Sequence, residues 1–494
     1  MKNNDYAELE QRFAEISKLD GVCALIGWDA RVCAPSAATE DQGEQMAMLS
    51  RLRHEILTRD DWDVLFERLE KNNDSDDWRR ANVREAKRER ELESALPDDL
   101  VARSAVASNR GQSVWTKAKA ENDFKTFAPY LKELVAIARE TAVCIGERTK
   151  AAPYDALLEM FQPGMNVAKL DVLFAELKGF LPDFIENVRL RQKKAPEPFG
   201  DSYPVEKQTA FCGELMRAMG FDFDRGRLDM RDSAFQTSCG RDDMRVVGRL
   251  SENNPLRTVA AVMHETGHAL YEQGLPREYM SQPVGKALGM AAHESQSLLM
   301  EGFVLQNDAF LRWLSEKMTR FYHTDECSFD RLKKMSRRVE PSLIRIDADG
   351  VTYPLHVIVR YELEKDLIGG ALDVDDLPEA WNVKMREYLG VVPKTDAEGC
   401  LQDIHWAAGS FGYFPDYTVG AVAAAQFFAA ARAAVPDLDE RLGKGDFSAL
   451  KTWLNNNVHA LGSKFVFDEW IRRATGTELS ARAFKDALRE RYGV

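Results

Sequence analysis

The chain has 494 residues, 45% of them hydrophobic and 30% charged, and its 66 lysines and arginines face 80 acidic residues for a net charge of -14. These proportions exclude the disordered, collagen-like and fibrous classes. The acidic balance argues against nucleic acid or an anionic membrane as a partner of the overall field.

From the amino terminus, residues 1–13 lack the apolar stretch and cleavage site of a signal peptide. Tyr6, Leu9, Phe13, Ile16 and Leu19 recur at three- and four-residue spacing, which predicts an amphipathic helix, and Leu131, Leu134, Ile137 and Val143 predict another. Residues 62 to 95 mix charges of both signs and read as a solvated helix face laced by i,i+4 pairs. Proline and glycine cluster at 196–204, 220–240 and 409–415, predicting loops, and residues 228–250 have the character of a short hairpin. Pro255 opens and Gly274 with Pro276 closes a predicted helix. The most apolar window, Val419 to Val435, is interrupted by Gln426 and Arg432 and is shorter than the ~20 residues of a membrane span. It reads as a buried, alanine-rich core helix. Seven cysteines, with no C-x-x-C pair, argue against a disulfide framework or zinc ribbon and fit a reducing cytoplasm. With no repeat and no long linker, the chain reads as mainly α-helical with one small sheet.

The strongest chemical signal is His264-Glu265-Thr266-Gly267-His268. Residues i and i+4 share one helix face, so both imidazoles can reach one ion at about 2.0–2.1 Å. Glu265 points toward the side where a nucleophilic water would sit and can take its proton. A zinc catalyst needs a third protein ligand and an open position. The metzincin continuation is excluded, because Tyr271 and Gly274 stand where it needs Gly and His. A carboxylate from a second helix is the other common solution. Glu294, 26 residues after His268, leaves room for a loop and a returning helix and is the predicted third ligand. Glu301, two turns further on, competes with it or supports from behind. His293 points about 100° away from Glu294 and reads as a supporting or core histidine. Three more segments are dense in polar groups: Asp242 to Val247, Ile344 to Asp349, and Gly399 to Trp406 with Gly412 to Pro415 and Tyr417 beyond.

Together these residues resemble the thermostable carboxypeptidase 1 family, the Taq-type metallocarboxypeptidases. The resemblance runs over nearly the whole chain: Gly27-Trp28-Asp29, the eleven residues from His264 to Gly274, His293-Glu294-Ser295-Gln296-Ser297, Ile344 to Asp349, and Gly399 to Trp406. It implies a mostly helical, saddle-like zinc-peptidase fold with a deep central groove and one small sheet. A single catalytic domain would span 1–494, with a helical part (about 1–200) covering the groove and a metal-site part (about 201–494). It also implies a homodimer acting on peptides and removing single carboxy-terminal residues with broad specificity. One divalent ion per subunit, zinc first and cobalt or manganese as alternatives, would be held by His264, His268 and Glu294, with Glu265 as the base. The chain departs from the family at Val247, where Thr is usual, and at Leu298 and Met300, where Arg and Trp are usual.

On this reading His405 or Tyr417, with Tyr413 as a lesser alternative, steadies the oxyanion. Arg345, with Arg245 second, grips the terminal carboxylate, because a guanidinium can bind it bidentately. The alternatives are a helical zinc oligopeptidase or dipeptidyl carboxypeptidase, and a metal-binding scaffold without catalysis.

Overall fold

The computed structural model describes residues 2–72, 75–192 and 194–494. Within them the fold is mainly helical with one three-stranded sheet. The first helix, Lys2–Val32, buries Tyr6, Leu9, Phe13 and Ile16, the stripe expected from their spacing. These pack with Leu57 at the end of helix Thr39–Leu57 and with Trp62, Leu65, Phe66 and Leu69 of helix Trp62–Lys71. The result is a small hydrophobic core distinct from the main one, which runs from Leu100 to Leu488.

In the charge-rich segment 62–95, helix Trp62–Lys71 has the expected solvated face, with Glu67 and Lys71 paired at i,i+4, but the next helix behaves differently (residues 73 and 74 lie outside the described residues). In helix Asp77–Ser94, Asn82, Glu85 and Arg90 are buried. Its charges pair mostly across elements: Arg53 joins Asp20, Glu89 and Glu93, and Lys286 also reaches Glu89. Asn82 donates to Tyr6 Oη and Gln282 Oε1, each at 3.1 Å, and accepts from the Val284 amide. Trp78 stacks on Tyr279 with 4.8 Å between centroids. A charged helix is therefore the seam between the amino-terminal helices and the loop that precedes Glu294. Opposite charges that look like i,i+4 partners in sequence find better partners on neighbouring elements.

The sheet comprises β1 (Gly226–Arg231), β2 (Phe235–Ser238) and β3 (Met244–Arg249), in the order β1-β3-β2. In the stretch 228–250, with its expected hairpin character, β2 and β3 pair antiparallel, and β1, which also reaches into that stretch, pairs parallel on the other side of β3. The strand pattern was weak there because burial is partial along β1 and β2, while β3 is almost wholly buried. β3 lies under the helix Pro255–Gly274, and a Cβ at Gly248 would come within 2.6 Å of Val262 Cγ2.

The first helix is tied to this sheet through Trp28. The guanidiniums of Arg227 and Arg245 lie 5.0 and 4.2 Å from its indole, which packs with Val32, Val247 and Phe235. Val247, one of the departures from the family pattern, thus extends an apolar patch. The alanine-rich window forms helix Pro415–Ala434, buried along most of its length. No helix among the described residues is long and apolar enough to cross a membrane. All seven cysteines are free.

Candidate metal centre

Helix Pro255–Gly274 begins where Asn254 accepts the Arg257 amide and Pro255 fills the first turn, where its missing N–H costs nothing. Its apolar face, Val259, Val262 and Met263, is buried. His264 and His268 follow one turn apart, and helix Met290–Leu298 brings Glu294 to them. Glu294 Oε1 lies 3.6 Å from His264 Nε2, and Oε2 lies 3.4 Å from His268 Nε2. One donor atom from each of the three residues fits within 4.8 Å of the others. Tetrahedral bonds of 2.0–2.1 Å set donors about 3.4 Å apart, so the set fits a zinc-sized divalent cation.

Glycine makes this approach feasible. A Cβ at Gly267 would lie 2.4 Å from the Gln296 carbonyl oxygen and 2.7 Å from Ser297 Cα. A Cβ at Gly420, on helix Pro415–Ala434, would lie 2.8 Å from Glu294 Cβ. The Glu294 helix is therefore pressed against two others at side-chain-free points. Beyond Leu298 it widens into a π-helical stretch, Leu299–Val304, a distortion that recurs at functional sites. From it Glu301 Oε2 reaches His264 Nδ1 at 2.8 Å.

The electrostatics are those of a cation site. Burial disfavours the His264 cation, but the carboxylates of Glu294 and Glu301 outweigh it and raise its pKa to about 10. Burial pulls His268 down to about 4 and pushes Glu265 up to about 7, where the neighbouring Glu294 and Glu301 also act against ionisation. Burial opposes ionisation of Glu294 too, yet the two histidines hold its pKa below the ordinary value. Positive charge is what this cluster of carboxylates demands.

A second cluster holds Arg345, which is 5% exposed. Its Nε and Nη2 both donate to Asp403 Oδ1, at 3.0 and 2.8 Å, and Nη1 donates to Tyr353 Oη. Arg360, fully buried on helix Tyr353–Gly369, donates to Asp403 Oδ2 at 2.6 Å. Gln402 Oε1 accepts from the Arg345 amide and from Arg360 Nη2. Burial works against an ionised Asp403, but Arg345 and Arg360 hold its carboxyl far below the usual range. Two guanidiniums on one carboxylate leave the cluster one positive charge in excess. Tyr417 lies over Arg345, 4.8 Å from its ring, with its hydroxyl 3.1 Å from His405 Nε2. Burial first, and Glu294 as well, raise the pKa of Tyr353, Tyr413 and Tyr417. Tyr353, bonded to Arg345, and Tyr417, over it, both feel the Glu294 carboxylate, so the arginine cluster lies within electrostatic reach of the metal cluster.

His264, His268, Glu294 and Glu265 are together, and Arg345, His405 and Tyr417 adjoin them. Arg245 is elsewhere: it pairs with Asp243 at 2.8 Å and covers Trp28. Asp403 belongs to the polar segment Gly399 to Trp406 noted in the sequence, whereas Arg360 lies outside every segment noted there. The available signal was an arginine inside the apolar run Val357-Ile358-Val359-Arg360-Tyr361, since an arginine buried on a helix needs a counter-charge. Gly267 and Gly420 were also passed over, although glycine inside a helix calls for a packing reason.

Two histidines and a glutamate that could hold a cation, with a second glutamate buried beside them in a helical fold, point to the metallopeptidase class. The chain belongs to the carboxypeptidase Taq (M32) metallopeptidase family, whose pattern it matches over residues 8–492. It is 38% identical to the thermostable carboxypeptidase 1 of Thermus thermophilus, with 99% of this chain and 98% of the relative covered. It is 36% identical to carboxypeptidase 1 of Bacillus subtilis, covering 97% and 96%. Among solved structures it is similar to Trypanosoma cruzi metallocarboxypeptidase 1, with a TM-score of 0.96, 36% identity and 99% of each chain covered. The chain is thus a peptide hydrolase of the metallocarboxypeptidase class.

Two variants test the construction of the centre. Gly267→Ala forces the ligand helices apart, and overpacking of this kind costs about 1–3 kcal/mol. Thermal unfolding should show that loss and also a smaller stabilisation by added divalent ion; an unchanged response to the ion would contradict the close-approach account. Asp403→Asn leaves two buried guanidiniums without a counter-charge, an effect of about 3–5 kcal/mol. Because the folded pKa is depressed, the unfolded chain takes up the proton first as pH falls. The contribution of Asp403 is therefore complete above about pH 4 and erodes below it. Urea denaturation should find the variant weaker than wild type at pH 7, with the gap narrowing on acidification below pH 4.

Proposed function

We propose that the protein releases single carboxy-terminal amino acids from peptides, with broad specificity, using one divalent ion held by His264, His268 and Glu294. Zinc suits two imidazoles and a carboxylate in a tetrahedral set; cobalt and manganese are the alternatives. A cation bound there supplies Lewis acidity and brings the pKa of a water toward neutrality.

The remaining work belongs to the side chains. Glu265, held near neutrality by burial, is matched to accept a proton from water and return it to the leaving amine. The Tyr417 hydroxyl and His405, 3.1 Å apart, are the donors for the oxygen that gains negative charge. Arg345 takes the substrate's terminal carboxylate. The observation that carries the exopeptidase reading is the unmatched positive charge of Arg345, Arg360 and Asp403 beside the metal cluster. A buried excess cation is costly unless an anion joins it, and the free carboxylate of a peptide is such an anion. Arg345 already serves Asp403 and Tyr353, yet a guanidinium has five N–H donors and these bonds use three. Arg245 stays second in this role, because its position on Trp28 favours tethering the first helix.

The single-domain organisation over 1–494, with residues 1–200 as a cover, and a homodimer complete this reading. Free cysteines support a cytoplasmic setting.

The test is a time course of product masses from a short peptide, with free or amidated terminus. Wild-type protein should shorten the free peptide one residue at a time, Glu265→Gln should lose at least about a thousandfold, and Arg345→Ala should lose far more on the free peptide than on the amidated one. Internal cleavage, or equal loss on both substrates for Arg345→Ala, would contradict the proposal.

A further inference from the structure

The two metal-facing imidazoles are braced in different ways. The outer nitrogen of His264 meets a carboxylate directly: Nδ1 to Glu301 Oε2, 2.8 Å. That of His268 meets another imidazole: Nδ1 to His293 Nδ1, 2.6 Å. His293 in turn presents Nε2 to Glu272 Oε1 at 2.8 Å.

For a neutral His293, hydrogen-bond chemistry fixes the direction of this chain. A carboxylate can only accept, so His293 carries a proton on Nε2. Between two nitrogens 2.6 Å apart, one donates and the other accepts. If His293 Nδ1 offers its lone pair, His268 carries its proton on Nδ1. Its Nε2 is then bare and turned toward Glu294, 3.4 Å away. That is the only neutral tautomer of His268 able to bind a cation through Nε2.

The placement follows from helix geometry. Glu272 stands four residues after His268 and so shares its face, one turn on. His293 precedes Glu294, so one helix supplies both the third ligand and the brace for the second. Tyr271 flanks the His293 ring, with centroids 5.5 Å apart, and its hydroxyl accepts the Leu288 amide. Side-chain exposure is 14% for His293 and 17% for Glu272, against 40% for Glu301. The relayed brace is thus the better shielded of the two.

We propose that His293 and Glu272 are positioning residues, which hold His268 in its cation-binding tautomer through a carboxylate–imidazole–imidazole relay. This rests on the metal reading above and adds that the ion's retention depends on two residues that do not touch it. Outer partners of metal-binding histidines change metal affinity by about 10–100-fold.

The experiment measures zinc affinity by competition with a chromogenic chelator, together with the melting temperature of each metal-free protein. His293→Phe and Glu272→Ala should bind zinc about 10–100-fold more weakly than wild type, with metal-free melting temperatures close to wild type. Glu272→Gln, whose amide oxygen can still accept, should recover most of the affinity. Wild-type affinity in His293→Phe and Glu272→Ala would overturn the relay. So would Glu272→Gln losing as much as Glu272→Ala. Should the variants fold poorly, long-range nitrogen–proton histidine spectra of the zinc-loaded wild type decide. A proton on His293 Nε2 and on His268 Nδ1 supports the relay, and a proton on His293 Nδ1 overturns it. Failure of the wild type to take up zinc would instead sink the proposed function, so the two failures are distinguishable.

Discussion

At Gly267 and Gly420 the helix carrying Glu294 lies against two others with no room for a side chain at either contact. That contact sets the rest of the centre. Two histidines on one helix can offer an ion only two donors, and the third must come from an element whose backbone nearly touches the first. Packed interiors tolerate little change of volume, so the glycines convert a sequence motif into a three-sided cage. The sheet supports the cage from beneath through Gly248 and Val262, and the contacts of Trp28 with Arg227 and Arg245 tie the first helix to that sheet.

The electrostatic layout has two poles. One gathers Glu265, Glu294 and Glu301 around imidazoles and calls for a cation. The other sets Arg345 and Arg360 on a single Asp403 and calls for an anion. Tyr353, Tyr413 and Tyr417 respond to Glu294, and Tyr353 and Tyr417 also to Arg345. A peptide's last residue presents a carbonyl to be polarised and, close behind it, a carboxylate to be held. On the proposed function a chain end can satisfy both poles, whereas an internal bond has no carboxylate for the second.

Much of this was legible in the residues. The motif helix is bounded by Asn254 with Pro255 and by Gly274, signals that act locally, and its i,i+4 histidines have one geometric meaning. Glu294 was legible because the interval after His268 is the length of a turn and a returning helix. The less legible features depend on contacts between distant segments. His293 and Glu301 each admit several roles in sequence, and their meeting with His268 and His264 is visible only in the fold. The π-helical widening that aims Glu301 has no local signature. Charges in helix Asp77–Ser94 looked like partners of one another, but Arg53 and Lys286 lie far off in sequence. β1 pairs in parallel with a strand beyond its neighbour, which no turn signal announces.

The central claim is that Glu294 completes a metal site with His264 and His268 while His293 stands behind it. X-ray absorption at the zinc edge of the loaded protein tests this most directly. The account predicts four light donors at about 2.0–2.1 Å, two of them imidazole, with no sulfur. A third imidazole, which would place His293 on the metal, or a sulfur at about 2.3 Å would contradict it.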